Sequence, residues 1–152
     1  MISVKNKYDG LYNLTIQTVG WAAYGIADGV TYQWPGAPGK SIGLITASTN
    51  SLTLFDFVRS DNLQLAFSAA GSPTAFGATT PKFTFDLQTN KLISVDNTTP
   101  DDGRGGTLKL NPNVTDNRYD PNTKTIYAAY IKHQNGRPDQ NIYDTLTYTG
   151  PR

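Results

Sequence analysis

The residues from Pro81 to Asp96 are the segment that most narrows the fold, because they show the pattern of a strand, a tight turn and a returning strand. Phe83 and Phe85 fall on one side of the first half and polar residues fall on the other, as in a strand with one buried face. Asp86 is able to accept backbone N–H groups two residues ahead, and Asn90 tolerates a positive φ angle. The segment therefore predicts a β-hairpin with an Asp-initiated turn.

Strand patterns separated by short turns extend over most of the remaining chain. They lie at 11–19, 41–48, 51–59, 125–132 and 142–149, with shorter ones at 30–33, 63–68 and 107–110. Residues 69–80 and 111–122 are rich in turn-forming residues and are predicted as loops, and no segment has a helical period. We expect an all-β fold, an antiparallel meander of roughly eight strands in a closed or partly closed, lipocalin-like barrel. A two-sheet β-sandwich is the alternative.

The turn of the hairpin has a second copy later in the chain. Residues 119–124 place an aromatic residue, an aspartate and a threonine at the same spacing as residues 85–90. Pro121 suits the second copy because this turn position needs a φ angle near the value that proline fixes. We therefore expect the two turns to share one geometry.

Composition excludes several classes of partner. With 13 basic and 12 acidic residues the formal net charge is +1, so the sequence carries no electrostatic signature of binding to nucleic acid or to an anionic membrane. The chain has no cysteine, which rules out disulfides and thiolate metal sites. No window approaches the length and apolarity of a transmembrane helix.

The start of the chain bears on its origin. The first residues lack the apolar region of a signal peptide, which fits either a cytosolic protein or a domain cut from a longer exported precursor. The single methionine is at position 1, as in a start codon placed before an excised domain. With 152 residues, enough for one domain, we expect residues 1–152 to be a single all-β unit excised from a longer protein.

The segment from 20 to 40 holds the strongest candidates for ligand binding. It contains both tryptophans of the chain, Trp21 and Trp34, together with Tyr24 and Tyr32, on a backbone punctuated by glycine and proline. Exposed tryptophan and tyrosine rings stack on the apolar faces of sugars, so these four residues predict a glycan-binding loop. The alternative is that the rings plug one end of the barrel, since large aromatic side chains are more often buried.

The aspartates give a weaker signal for chemistry. Asp96, Asp101 and Asp102 suggest either a hard-cation site or the carboxylate pair of a glycoside hydrolase, but their spacing fits no calcium loop and a solvated turn explains it. His133 is the only histidine, and no nucleophile motif accompanies it. We therefore expect no catalytic residue, no metal site and no cofactor.

Four motifs distributed along the chain resemble one family. They are Asn-Lys-Tyr-Asp-Gly-Leu-Tyr at 6–12, Pro-Lys-Phe-Thr-Phe-Asp at 81–86 with Thr-Asn-Lys at 89–91, Asp-Pro-Asn-Thr-Lys-Thr-Ile at 120–126, and Asp-Thr-Leu-Thr-Tyr-Thr-Gly-Pro-Arg at 144–152. The family is the C-terminal domain of unknown function of Bacteroidetes surface lipoproteins, which typically follows an immunoglobulin-like N-terminal domain. The motifs span most of the chain and consist mainly of turn and strand residues.

The resemblance implies a location and a role. Members are typically exported, anchored to the outer membrane by lipid and encoded beside glycan-uptake systems, and they offer no catalytic residues to transfer. We therefore expect a non-enzymatic module of a cell-surface lipoprotein that binds a polysaccharide or oligosaccharide through the aromatic loop, with the upstream domain of the same protein as a partner. The alternatives are a structural or interaction domain without a small ligand and, less favoured by the residues, a glycoside hydrolase.

Overall fold

The computed structural model describes residues 4–34, 42–57, 66–67, 73–74 and 79–152. Within these ranges the chain forms twelve β-strands and a short 3-10 turn, Ala22–Tyr24, and no α-helix. The strands are β1 Gly10–Val19, β2 Thr31–Trp34, β3 Ile42–Thr46, β4 Ser51–Asp56, β5 Ala66–Phe67, β6 Pro73–Thr74, β7 Pro81–Phe85, β8 Leu92–Asn97, β9 Thr107–Leu110, β10 Arg118–Asp120, β11 Thr125–His133 and β12 Gln140–Gly150.

Ten of these strands form one antiparallel sheet. Eight of the ten follow the order β10-β11-β12-β1-β3-β4-β7-β8. β2 pairs with β1 beyond the end of β3, and β9 pairs with β11 beyond the end of β10. The sheet curves into a nearly closed barrel with one unsealed seam. The all-β barrel expected from the strand pattern is therefore confirmed.

The interior of the barrel follows from strict alternation along its longest strands. In β1 every second residue from Tyr12 to Ile16 is buried, and these side chains lie opposite the buried residues of β12. The same alternation in β7 and, from Leu52 onward, in β4 directs phenylalanine and leucine side chains to the same core, and Ile42 and Leu44 of β3 join it. Removing these apolar surfaces from water is the main stabilising term for a barrel of this size.

The hairpin predicted at 81–96 is present as β7 and β8. Asp86 Oδ1 accepts hydrogen bonds from Gln88 N at 2.8 Å and from Thr89 N at 3.1 Å, and Asn90 has a φ angle of 61°. These backbone hydrogen bonds hold the pKa of the Asp86 carboxyl below its usual value. The Asp-initiated turn with a left-handed residue is confirmed.

The second copy of this turn joins β10 to β11. Asp120 Oδ1 accepts a hydrogen bond from Asn122 N at 2.9 Å, and Lys124 takes the left-handed position with a φ angle of 51°. The prediction of a loop over 111–122 is wrong for Arg118–Asp120, which is β10. A three-residue strand is too short to show alternation in the sequence.

The segment between β4 and β7 is described only in part. Its described residues form β5 and β6, which pair with each other in a separate two-stranded sheet. Pro73 and Thr74 lie in the range that was predicted as a loop, and that prediction is wrong for these two residues. Residues 63–65 of the predicted strand 63–68 lie outside the described ranges.

The seam between the two ends of the sheet is partly bridged by backbone contacts. Lys91 and Arg118 form an isolated antiparallel bridge, and Tyr119 N donates to Asn90 O at 2.8 Å. Farther along the seam, Asn97 Nδ2 donates to Gly106 O at 3.0 Å. There a side-chain hydrogen bond takes the place of backbone pairing between strands. Local contacts between β8 and the residues flanking β9 and β10 therefore bridge the seam in part.

The side chain of Tyr8 packs inside the barrel at the end that holds the β7–β8 turn. Its ring is fully buried, stacks on Phe85 with ring centroids 4.3 Å apart, and meets Tyr119 edge-on at 5.1 Å. Its hydroxyl donates to Asn90 Oδ1 at 2.9 Å. One side chain thus connects the segment before β1, the β7–β8 turn and β10.

We expect the Tyr8→Phe variant to be less stable than the parent by about 1 kcal/mol, since it leaves the part-buried Asn90 Oδ1 without its donor. Tyr8→Ala removes the ring as well and is expected to cost roughly 3–5 kcal/mol. Urea denaturation measures both. Tyr143→Phe, at a tyrosine that is 36% exposed, serves as the control and should stay within about 0.5 kcal/mol of the parent. Equal losses for Tyr8→Phe and Tyr143→Phe would contradict this role of the hydroxyl.

Candidate functional site

Among the described residues, three loops lie at the end of the barrel opposite Tyr8, which we call the loop end. These loops are 20–30 between β1 and β2, 98–106 between β8 and β9, and 134–139 between β11 and β12. Two of them are connected directly, because Asn135 N donates to Arg104 O at 2.9 Å. The loop end therefore brings together side chains that are far apart in the sequence.

Trp21 is the centre of the loop end. Its side chain is fully buried, packs with Ile26, and donates through Nε1 to Pro138 O at 2.6 Å. The backbone after it turns tightly, with Tyr24 N bonded to Trp21 O at 2.9 Å, and Gly25 ends the turn at a φ angle of 84°. A left-handed residue at this point favours glycine.

Two cationic side chains lie over the ring of Trp21. Lys132 Nζ is 5.1 Å from the ring centroid and Arg137 Cζ is 5.5 Å from it. Arg137 Cζ also lies 4.2 Å from the ring centroid of Tyr24, which itself meets Trp21 edge-on at 6.1 Å. These distances are those of cation–π contacts. We call Trp21, Tyr24, Lys132 and Arg137 the aromatic–basic cluster.

Lys132 occupies an unusual position for a lysine. It falls on the inward face of β11 and is only 2% exposed. Burial, followed by repulsion from Arg104 and Arg137, lowers the pKa of its ammonium group to about 8, while Asp102 acts in the opposite direction. The positive charge of Lys132 is therefore held in the barrel at an energetic cost.

The structure separates the four aromatic residues that were predicted to bind ligand. It brings Trp21 and Tyr24 together, with Trp21 buried and Tyr24 38% exposed. Tyr32 lies opposite Ile16 on β2, half-buried and packed against the main core. Trp34 is the last residue of β2, opposite Leu14, and its side chain lies outside the described residues. Their role as a glycan-binding set stays a prediction.

Sequence reasoning missed the two cations of the cluster. Lys132 lies on the same inward face of β11 as Ile126, six residues earlier. Its position in the alternation along the strand was therefore a usable signal. Lysine is rarely buried, however, and the pattern alone favours a surface position at a strand end. Arg137 is in a turn, and no local feature of the sequence indicates that it reaches Trp21.

The aspartates singled out in the sequence serve mainly as turn residues. Asp101 Oδ1 accepts hydrogen bonds from Gly103 N at 2.9 Å and from Gly105 N at 3.0 Å, and Asp102 pairs with Arg104 at 3.4 Å. His133 Nδ1 lies 2.9 Å from Asp139 Oδ1 at the surface. Over the described part of the chain, no group of three or more histidine or acidic side chains is placed to hold a metal ion.

A buried acid lies deeper in the barrel. Asp144, on β12, lies opposite Ala128 of β11. It is 3% exposed and accepts a hydrogen bond from the Tyr130 hydroxyl. Burial raises the pKa of the Asp144 carboxyl to about 7, and the Tyr130 hydrogen bond opposes this only in part. This carboxyl group therefore keeps its proton to a higher pH than an ordinary aspartate does.

A groove lies on the outer wall of the barrel, away from the loop end. It is a groove of about 200 Å³ over β11 and β12, lined by Tyr127, Ala129, Tyr143 and the loop residues Val114 and Asn117. The Asn117 side chain accepts a hydrogen bond from Ala129 N at 2.6 Å, which continues the edge pairing of β11 between β9 and β10. The groove therefore offers two tyrosines, and Asp116 and the buried Asp144 also line it.

Comparisons with known proteins add little to this geometry. No protein-family model matches the chain, and no curated protein sequence matches it. One similar solved structure is a structural genomics protein of unknown function from Bacteroides ovatus, with 13% identity and a TM-score of 0.43, covering 96% of this chain and 43% of that chain. The chain thus spans less than half of that protein. Among the described residues, no helix is long and apolar enough to cross a membrane.

The two perturbed groups predict an unusual dependence of stability on pH. The folded-state pKa of Asp144 is above its usual value, so the folded protein binds more protons than the unfolded chain between about pH 4 and 7 and loses stability as pH rises there. The loss is roughly 4 kcal/mol or less. The folded-state pKa of Lys132 is below its usual value, so stability rises again between about pH 8 and 10.

We expect the free energy of unfolding, measured by urea denaturation, to have a minimum between about pH 7 and 8. Asp144→Asn keeps an acceptor for Tyr130 and should flatten the acidic limb, and Lys132→Met should flatten the alkaline limb. A parent profile with its maximum at neutral pH would contradict the assignment of both groups.

Proposed function

We propose that this domain is a non-catalytic glycan-binding module and that it binds its ligand at the aromatic–basic cluster. The observation that carries the proposal is the position of Tyr24, which is 38% exposed while Arg137 Cζ lies 4.2 Å from its ring centroid and Trp21 meets it edge-on. A tyrosine held in place loses little conformational freedom on binding. Such a ring is suited to stack on the apolar face of a sugar.

The polar groups around Tyr24 suit the same ligand. Arg137 is half-buried and Arg104 lies at the surface of the same end, and guanidinium groups are N–H donors suited to the hydroxyl groups of a sugar. Binding sites combine aromatic surface with a few fixed polar groups, and the loop end has both. Three of the described aspartates, Asp86, Asp101 and Asp120, accept backbone hydrogen bonds in turns, so their role is structural.

The location of the domain is proposed on the family resemblance alone. The motifs at 6–12, 81–91, 120–126 and 144–152 resemble the C-terminal domains of Bacteroidetes surface lipoproteins. We therefore propose that the domain forms part of a lipoprotein on the outer membrane, beside an upstream domain of the same protein. Binding of polysaccharide at the cell surface is the role that such a location serves.

A structural or interaction domain without a small ligand is the second candidate. One observation favours it: the ring of Trp21 is fully buried and its indole N–H is bonded to Pro138 O. A buried ring closes the barrel and offers no face to a sugar. The two candidates differ in whether the exposed Tyr24 binds anything.

We expect Tyr24→Ala to leave the melting temperature nearly unchanged, because the ring is partly exposed, and to weaken glycan binding by tenfold or more, about 1.4 kcal/mol. A glycan array followed by calorimetry on the best ligand measures the effect. Tyr143→Ala, which removes a similarly exposed ring on the outer wall, is the control and should bind normally. Loss of binding in the control alone would place the site in the outer groove, and an array without any ligand would favour the structural candidate.

A further inference from the structure

Among the described residues, one cation covers one face of the Tyr24 ring. Arg137 Cζ lies over the ring, 4.2 Å from its centroid, and Trp21 meets the ring edge-on at 6.1 Å. The next residue is Gly25, and a Cβ atom added to it would meet no described atom within 4 Å apart from its chain neighbours. Tyr24, which is partly exposed, therefore keeps a side away from Arg137 from which a planar group is able to approach it.

The acidic side chains of the loop end are engaged within the protein. Its three loops contain four aspartates and no glutamate. They are Asp28, which accepts Gly20 N at 2.8 Å, Asp101, which accepts Gly103 N at 2.9 Å, Asp102, which pairs with Arg104 at 3.4 Å, and Asp139, which lies 2.9 Å from His133 Nδ1. Each carboxylate of these loops thus has a partner in the protein itself.

The cations of the loop end are close to these acids in number. Arg104 pairs with an aspartate of its own loop, Arg137 contacts two aromatic rings, and Lys132 is buried in the barrel. Three cations against four carboxylates leave no marked excess of either sign among the described residues, and the formal net charge of the whole chain is +1. A charged ligand would lose its hydration here without an unpaired charge of opposite sign to receive it.

We propose that the ligand of the aromatic–basic cluster is a neutral glycan, and that one of its sugar rings stacks on the open side of Tyr24. Stacking requires an apolar sugar face and no ionised group. The hydroxyl groups at the edge of the sugar ring exchange hydrogen bonds with donors and acceptors alike, and the loop end offers both. Uronate, sulfate and amine groups gain nothing from balanced charge and still lose hydration. This inference rests on the proposed glycan-binding function and specifies its ligand class.

The test is an array of neutral, uronate-bearing, sulfated and amine-bearing oligosaccharides, probed with the whole domain and followed by calorimetry on the tightest binder. Cellotetraose, tetraglucuronate and the glucosamine tetramer are titrated beside it, because they share a β-1,4-linked backbone and are neutral, anionic and cationic. We expect the tightest binder to be neutral, with an affinity at least about tenfold above that of charged forms of its backbone. Its affinity should fall by no more than about twofold in about 1 M sodium chloride, where the Debye length is about 3 Å.

One variant shifts the charge balance without touching Tyr24. Asp102→Asn removes a negative charge and keeps a side-chain oxygen for the hydrogen bond from Arg104 N. Its affinity for the neutral glycan should match that of the parent, whereas its affinity for the uronate form of that glycan should rise severalfold. Tyr24→Ala should lose the neutral glycan, and Tyr143→Ala, on the outer wall, should retain it.

The outcomes separate this inference from the proposed function. Neutral binding that withstands salt and is lost in Tyr24→Ala supports the inference. A charged glycan that binds as tightly as the neutral one, binding that falls about tenfold in salt, or an unchanged uronate affinity in Asp102→Asn overturns the inference and leaves glycan binding in place. Neutral binding unchanged in Tyr24→Ala, or an array without any binder, overturns both proposals. Ligand class and salt dependence are measured on the parent, so they decide the ligand class even if a variant unfolds.

Discussion

The closure of the barrel is the constraint on which the rest of the structure depends. An antiparallel sheet of this length must bring its last strands, β8 and β10, together, and hydrogen bonds between Asn90, Lys91 and residues 117–119 do so at one end. Tyr8 reinforces that end with its ring and its hydroxyl. Because closure is achieved there, the opposite end is free to be formed by loops.

The two ends of the barrel differ in chemistry as well as in construction. Around Tyr8 the interior is aromatic and its hydroxyl groups are hydrogen-bonded, Tyr12 to Tyr8 O at 2.7 Å among them. Toward the loop end the inward rows of β11 and β12 change from Ile126 and Leu146 to Lys132 and Gln140. This gradient reduces stability, since buried charge and unsatisfied amides are unfavourable. Such polar interiors are characteristic of functional sites more than of cores.

Local chemistry explains how much the sequence could predict. The hairpin at 81–96 was predictable because one aspartate, one asparagine and two phenylalanines determine the turn and the buried face without help from other segments. The four aromatic residues of 20–40 were recognised, but whether each is buried depends on loops far away in the chain, as the Trp21 bond to Pro138 shows. Lys132 was missed because lysine is rarely buried, although the alternation along β11 placed it on the inward face.

The most direct test of a ligand site at the loop end is an NMR titration of the labelled domain with the two tightest-binding glycans found on an array. The indole Nε1–H of Trp21, bonded to Pro138 O, is a reporter at the centre of the site. The proposals predict shifts of this signal and of the Tyr24 and Arg137 signals, with the outer wall unaffected. Shifts confined to Tyr127 and Tyr143, or no shifts at all with either ligand, would contradict them.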